Sequence, residues 1–384
     1  MPGKKSFLTL KRPQAVTQAV TDELRLDPMV DNVSRLLQNY GFRQVVLPAS
    51  ETGITGVHKL YGQVAADRMF PIAKWFYIQP VAPWEERAPM RHEFGIFLLG
   101  DDSSMAYAQL LTTVNHLLLS LGITGFATAV TSRGCVNCQK NYREALGESL
   151  GVVLNRFCQN CEANLEKNLP AVFACQRKEC QAVLSGAPQM IDFLDESCRN
   201  SLVETLEIID ELEIPYVLNP VVTRGIAAEK IVFDFGLPAT SQLGWGGSLA
   251  HLAAGRGAGA APAIGFLTSL EELSGFLPTE RRTQTVGRTE VFIISLGSAA
   301  GRRALALFRD IHGAGIAVRE GLLGNQGIRG QLKEAQEHKA EIALIIGQKE
   351  AMDETVILRD VRSGMQEVFV LDRIVEEVRK RLAR

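Results

Sequence analysis

At 384 residues the chain is long enough for two or three domains, and 46% hydrophobic with 22% charged residues is the balance of an ordinary globular protein. A formal net charge of −2 excludes a general electrostatic pull toward nucleic acid, so any RNA contact needs a local basic patch. The opening MPGKKSFLTLKRPQAV is too interrupted for a signal peptide, and no run of about 18 apolar residues occurs, which predicts a cytoplasmic chain with no membrane span.

Residues 1–20 are basic and without pattern, and are expected to form an arm. From Asp27 to Tyr40, Met29, Val33, Leu36 and Leu37 fall on one helical face. Gly41 then supplies a stop, and Arg43 to Pro48 reads as a strand. The stretch Trp75 to Leu99 opens with aromatic and β-branched residues, crosses Pro80, Pro83 and Pro89 among charges, and re-enters an apolar run at Phe94. It predicts two strands joined by a long loop, not a tight hairpin. Asp101 to Leu121 follows as a helix, with Asp101, Asp102, Ser103 or Ser104 as its cap, and Phe126 to Thr131 as a strand.

Six of the seven cysteines come in pairs: Cys135-x2-Cys138, Cys158-x2-Cys161 and Cys175-x4-Cys180, with Cys198 alone. Nineteen residues separate the first two pairs, inside the range of a four-cysteine zinc site. Thiolates suit Zn²⁺, and a two-residue spacer lets both sulfurs reach one tetrahedral ion. Disulfides fit less well in a chain with no export signal. Two readings stand open: one structural zinc on Cys135, Cys138, Cys158 and Cys161, or metal-free buried thiols. Around these cysteines, from Asn141 to Tyr216, the pattern is helical and amphipathic.

Strand, loop bearing Glu85, Arg87 and Arg91, then strand resembles motif 2 of class II aminoacyl-tRNA synthetases, and its wording is similar to bacterial histidyl-tRNA synthetases. Asp27 to Pro48 is similar to motif 1, the dimer interface of that class, and Ala261 to Leu273 to motif 3. The runs from Tyr142 to Leu146 and from Ile214 to Tyr216 match the family in order. So do the glycine-rich Leu243 to Leu252 and the later Gln331 to Gln336, Ile345 to Gly347 and Leu358 to Asp360. The resemblance covers roughly residues 27–384. It implies an α/β (α+β) class II core, an antiparallel sheet flanked by helices, over residues 1–277 with a cysteine-rich helical insertion at about 135–216. A linker at 278–288 and a C-terminal α/β anticodon-binding-like domain at 289–384 follow.

The catalytic positions depart from the family pattern. The Phe-Arg-x-Glu box, whose arginine binds the ATP α-phosphate, reads Ala82-Pro83-Trp84-Glu85. Between Glu51 and Lys74 the box that holds the amino acid's ammonium group is missing. The histidine signature after Arg224-Gly225 keeps neither its aspartate nor its tyrosines, having Ala227 and Ala228, with Lys230 near a lost arginine. Gly244, Gly246 and Gly247 persist without the neighbouring Arg-Tyr-Asp triplet, and after Glu271 the motif 3 arginine is Glu272, which repels a triphosphate.

The resemblance so altered implies a chain that has lost aminoacylation and acts as a non-catalytic regulatory or binding protein. ATP binding and cofactors other than zinc are not expected. The best-known precedent is the synthetase-like regulatory subunit of ATP phosphoribosyltransferase in histidine biosynthesis, against which stand the lost signature and the retained C-terminal domain. An altered-specificity ligase using Glu85, Arg87, Arg91 and Arg224 is the enzymatic alternative. The resemblance also implies a homodimer through motif 1. Contact with tRNA would run through Arg302, Arg303, Arg319, Arg329 and Lys333 of the C-terminal domain.

Overall fold

The computed structural model describes residues 27–48, 53–66, 72–81, 91–165, 172–173, 175–219, 229–237, 241–249, 262–277, 289–321 and 327–383. In chain order the first part holds α1 (Asp27–Asn39), β1 (Arg43–Gln44), α2 (Gly53–Ala66), β2 (Ala73–Val81), β3 (Arg91–Leu99), α3 (Ser104–Ser120) and β4 (Ala127–Gly134). The insertion contributes α4 (Val136–Gly151), α5 (Gln159–Asn164), α6 (Lys178–Leu184) and α7 (Glu196–Glu211). Then come β5 (Tyr216–Leu218), β6 (Glu229–Leu237), β7 (Ser241–Ser248), β8 (Ala263–Ser269) and α8 (Leu270–Ser274).

These eight strands form one sheet in the order β1-β2-β3-β8-β7-β6-β4-β5. Every neighbouring pair is antiparallel except the outermost two, β1 with β2 and β4 with β5. Residues opposite one another share a face, so Tyr77, Gly95, Leu267, Trp245 and Asp234 form one row. Phe76, Ile96, Phe266, Gly246 and Phe233 form a row on the other face. The second face packs on α3, whose buried Leu110, Leu111, Val114, Leu117 and Leu118 follow the expected helical spacing. Ser103 is the cap: its hydroxyl accepts from the Ala106 N–H at 3.3 Å.

The C-terminal part comprises β9 (Val291–Ser295), α9 (Ser298–Gly313), β10 (Val318–Glu320), α10 (Ile328–Glu337), β11 (Ile342–Ile346) and α11 (Gln348–Met352). It closes with β12 (Thr355–Asp360), β13 (Gln366–Val370) and α12 (Leu371–Leu382). Its sheet runs β10-β9-β11-β12-β13, parallel as far as β11 and antiparallel beyond. Phe292, Ile294, Ala343 and Ile345 are buried with Ala335 of α10, while Val291, Ile293, Leu344 and Ile346 join the main core on the opposite face. Unbroken apolar strands covered on both faces are what strands alternating with helices predict.

That main core does not stop at the domain border. The side chain of Lys74 on β2, 2% exposed, donates to the Tyr40 carbonyl at 3.1 Å and lies 3.6 Å from Glu320 on β10. Gln109 of α3 donates to the same Glu320 oxygen at 2.6 Å. Nearby the Tyr40 hydroxyl bonds His116 Nδ1 at 2.8 Å, and Tyr40 and His116 both pack on Phe308 of α9. A neutral imidazole accepts at that nitrogen. Burial first, then His312 and Arg309, hold His116 down to about 3.

Differences from expectation are local. The strand expected at Arg43 to Pro48 is reduced to Arg43 and Gln44 in the ladder, though the Val45 N–H still bonds the Phe76 carbonyl at 2.8 Å. The expected helical stretch from Asn141 to Tyr216 is broken into pieces, with 3-10 turns at Leu154–Arg156 and Met190–Phe193, because Gly151, Gly186 and Pro188 interrupt it. The helix α2, between β1 and β2, has no counterpart in the expectation. The linker at 278–288 lies outside the described residues.

Candidate functional site

Two strands and one helix start define the region where the motifs converge. On β3, Arg91, Glu93, Gly95 and Phe97 alternate onto one face. Glu93 stands opposite Ser269, which ends β8 and caps α8, its hydroxyl accepting from the Glu272 N–H at 3.1 Å. Three carboxylates, those of Glu93, Glu271 and Glu272, are therefore grouped at one end of the β3–β8 pair.

Two of the three, Glu271 and Glu93, have a structural engagement. Glu271 accepts from the His92 N–H at 3.0 Å on both oxygens and from His92 Nδ1 at 2.8 Å, fastening α8 to β3. The Tyr77 hydroxyl donates to Glu93 at 2.5 Å, and burial together with that carboxylate pushes the phenol's titration far up, so it stays a donor. Arg91 is exposed at the start of β3, opposite Val81. Glu85, Arg87 and Arg224, like Pro83, Ala227 and Ala228, lie outside the described residues.

The three glycines expected at a ligand part company. Gly244 and Gly246 face the helix side, where a Cβ would fall on the Phe266 ring in the first case and on the Phe233 ring and the Gly265 carbonyl in the second. Aromatic packing across the sheet accounts for both. Gly247 faces the other way, in register with Gly265 and beside Trp245. On that side α2 lies against β3, and its Val57 and Tyr61 join Trp75, Tyr77, Phe97 and Leu267 in one apolar cluster. Tyr61 meets Trp75 edge-on at 5.9 Å. Lys230, expected near a lost arginine, sits at φ +52° and gives its ammonium to Asp102 on the loop before α3.

The cysteines assemble differently from the expected set. Cys135 and Cys138 do not gather with Cys158 and Cys161; they meet Asp195 and Cys198. Cys158 and Cys161 meet Cys175 and Cys180 instead. The cause is topological: Cys135 leads out of β4 into α4, and α7 returns to the same place with Asp195 at its cap, whereas α5 and α6 pair farther along. Asp195 is the donor that cysteine counting misses, although Asp195-x2-Cys198 repeats the spacing of the two Cys-x2-Cys pairs. Its carboxyl is held at about 2, chiefly by the Cys198 N–H.

Of the basic residues expected to meet RNA, four already face partners in the chain. Arg302 lies 3.3 Å from Glu211, Arg303 3.3 Å from Glu354, and Lys333 3.7 Å from Glu337. Arg319 bonds the His338 ring at 2.9 Å, and Arg329 is exposed in the first turn of α10. Exposed ion pairs of this kind are weak and exchangeable, so they dilute the positive surface without abolishing it.

Comparison with known proteins agrees with this architecture. Residues 290–381 match the family model described as an anticodon binding domain. The histidine–tRNA ligase of Desulfitobacterium hafniense is 31% identical over 319 residues, covering 80% of this chain and 74% of that protein. That of Thermosipho melanesiensis is 30% identical over 314 residues, 79% of this chain and 74% of its own. Among solved structures, the apo histidyl-tRNA synthetase of S. aureus superposes with a TM-score of 0.55 at 22% identity, over 92% of this chain and 95% of that one. At that identity the superposition speaks for the fold alone. No helix among the described residues is long and apolar enough to cross a membrane.

Proposed function

Because the chain belongs to the histidyl-tRNA synthetase family of class II aminoacyl-tRNA synthetases, we propose that it is a member without efficient amino-acid activation, acting as a binding or regulatory protein. One observation carries this reading: Glu271 and Glu272 open α8 beside Glu93, where the family pattern expects an arginine against the ATP phosphates. A carboxylate facing a triphosphate replaces attraction by repulsion, and Glu271 is already engaged by His92. Proline at position 83 and the alanines at 227 and 228 remove two further contacts. Losing one preorganised stabiliser of charge commonly costs ~10²–10³ in rate.

The direct test is histidine-dependent ATP–pyrophosphate exchange, which needs no tRNA. The expected rate lies more than about 10²-fold below that of an ordinary synthetase, and a rate inside that margin would overturn the proposal. Pro83→Arg with Glu272→Arg is not expected to restore exchange, because the ammonium box and the imidazole contacts stay absent. The anticodon-binding domain supports tRNA as the partner over ATP phosphoribosyltransferase; binding of the second and not the first would reverse that order. A homodimer belongs to the same proposal, and light scattering should give about twice 42.1 kDa. The apolar face of α1 is buried within its own chain, so the dimer contact must use other residues.

A further inference from the structure

All seven cysteines of the chain fall into two clusters, four in one and three in the other, and the smaller one is completed to four donors by a carboxylate. In each cluster the ligand atoms lie within 4.8 Å of one another. Four sulfurs around one zinc, at bonds of about 2.3 Å, sit about 3.8 Å apart, so either set closes on an ion by small side-chain rotations. We propose that the insertion holds two structural Zn²⁺ ions, one on Cys158, Cys161, Cys175 and Cys180 and the other on Cys135, Cys138, Asp195 and Cys198.

Several features of the local chain favour metal over the alternatives. All seven cysteines are free thiols, and the Cys135 and Cys138 sulfurs are 3.5 Å apart, far beyond the about 2.05 Å of a disulfide. Backbone N–H groups point at sulfur in both clusters: Cys158 N–H to Cys180 Sγ at 3.3 Å, and Asp195 N–H to Cys138 Sγ at 3.2 Å. Such bonds stabilise thiolates and fix their direction toward a shared centre. Cys135 and Asp195 are the caps of α4 and α7, so each helix begins with donors at its cap and its third residue. Gly134 (φ +60°) makes the turn into α4 possible, since a Cβ there would fall on Cys138 Cβ. Among the described residues, the four-sulfur cluster lies in an apolar group whose other buried members are Leu146, Leu150, Phe157 and Val172. So thin a core rarely holds a segment together without a staple.

Zinc released from the purified full-length protein by thiol modification and counted by mass spectrometry should come to two ions per chain. Cys175→Ser, outside the two Cys-x2-Cys pairs, should leave one. Asp195→Ala should leave one, and Asp195→Cys should keep two. Since a variant can fail to fold, the wild-type protein reconstituted with Co²⁺ gives a second readout. Two equivalents should bind with tetrahedral d–d bands, and the thiolate charge-transfer intensity should correspond to seven sulfurs. One zinc or none in the wild type would overturn the proposal, as would a folded Cys175→Ser protein that keeps its full metal content.

Discussion

The outer part of the insertion and the C-terminal domain are both appendages of the eight-stranded sheet, yet different forces hold them. The C-terminal sheet buries side chains on both faces, one against α10 and the other in the core it shares with α1 and α3. Among the described residues, the outer insertion fully buries only a handful of apolar side chains, and its cysteines gather among them. Burial stabilises at roughly 25 cal/mol per Å² wherever area is available. Where it is scarce, directional donors must supply the order, and a short segment then depends on very few residues.

The sharpest way to break that contrast is to remove metal. Structural zinc binding is worth ~10–16 kcal/mol in small zinc-dependent peptides, so a strong chelator should open the insertion and leave the rest folded. Hydrogen exchange should show lost protection in α5 and α6 with α10 and β11 unchanged; simultaneous opening of both regions would refute the distinction. Next in size is the buried pair that joins the C-terminal domain to the main sheet. Lys74→Ala leaves Glu320 buried beside Gln109 with its charge uncompensated and should cost ~3–5 kcal/mol in chemical denaturation. Lys74→Met with Glu320→Leu should recover most of that loss, since a desolvated ion pair adds little over apolar packing.

The smallest of the three effects is a pH dependence at the same junction. His116 is held down to about 3 in the folded chain and titrates near 6.5 when unfolded. Between those values the unfolded state takes up a proton that the folded state refuses, so stability is present above about 6.5 and falls toward pH 3. His312, also lowered by burial, acts with the same sign, while burial pushes the Tyr40 hydroxyl well above this window. A loss on the order of a few kcal/mol on acidification, flattened by His116→Phe, should appear in thermal unfolding followed from pH 7 downward.

The sequence was legible where one pattern served one purpose. α1 and α3 lie within a few residues of the expected spans, because their apolar periodicity and their burial coincide. Where residues serve two purposes, it misled. Gly244 and Gly246 look like a ligand loop in the sequence, but they are strand residues that make room for Phe266 and Phe233. The cysteine grouping followed linear spacing, whereas the return of α7 to the start of α4 decides which sulfurs meet. Asp195 was invisible to a count of cysteines. Glu272 was readable as a charge reversal from position alone, but the contact of Glu271 with His92 needed the fold.

The continuous core across the domain border bears on how the chain could be cut. Val291, Ile293 and Phe308 belong to the same apolar cluster as Tyr40, Ile96 and Leu110, and Glu320 is tied to Lys74 and Gln109. All of those residues lie before position 278 or after position 288. The two parts therefore meet the physical conditions for fragment complementation: expressed separately, each carries half of one interface, and reassembly would restore a native-like particle without the covalent link. Binding of one half would then be the folding step of the other.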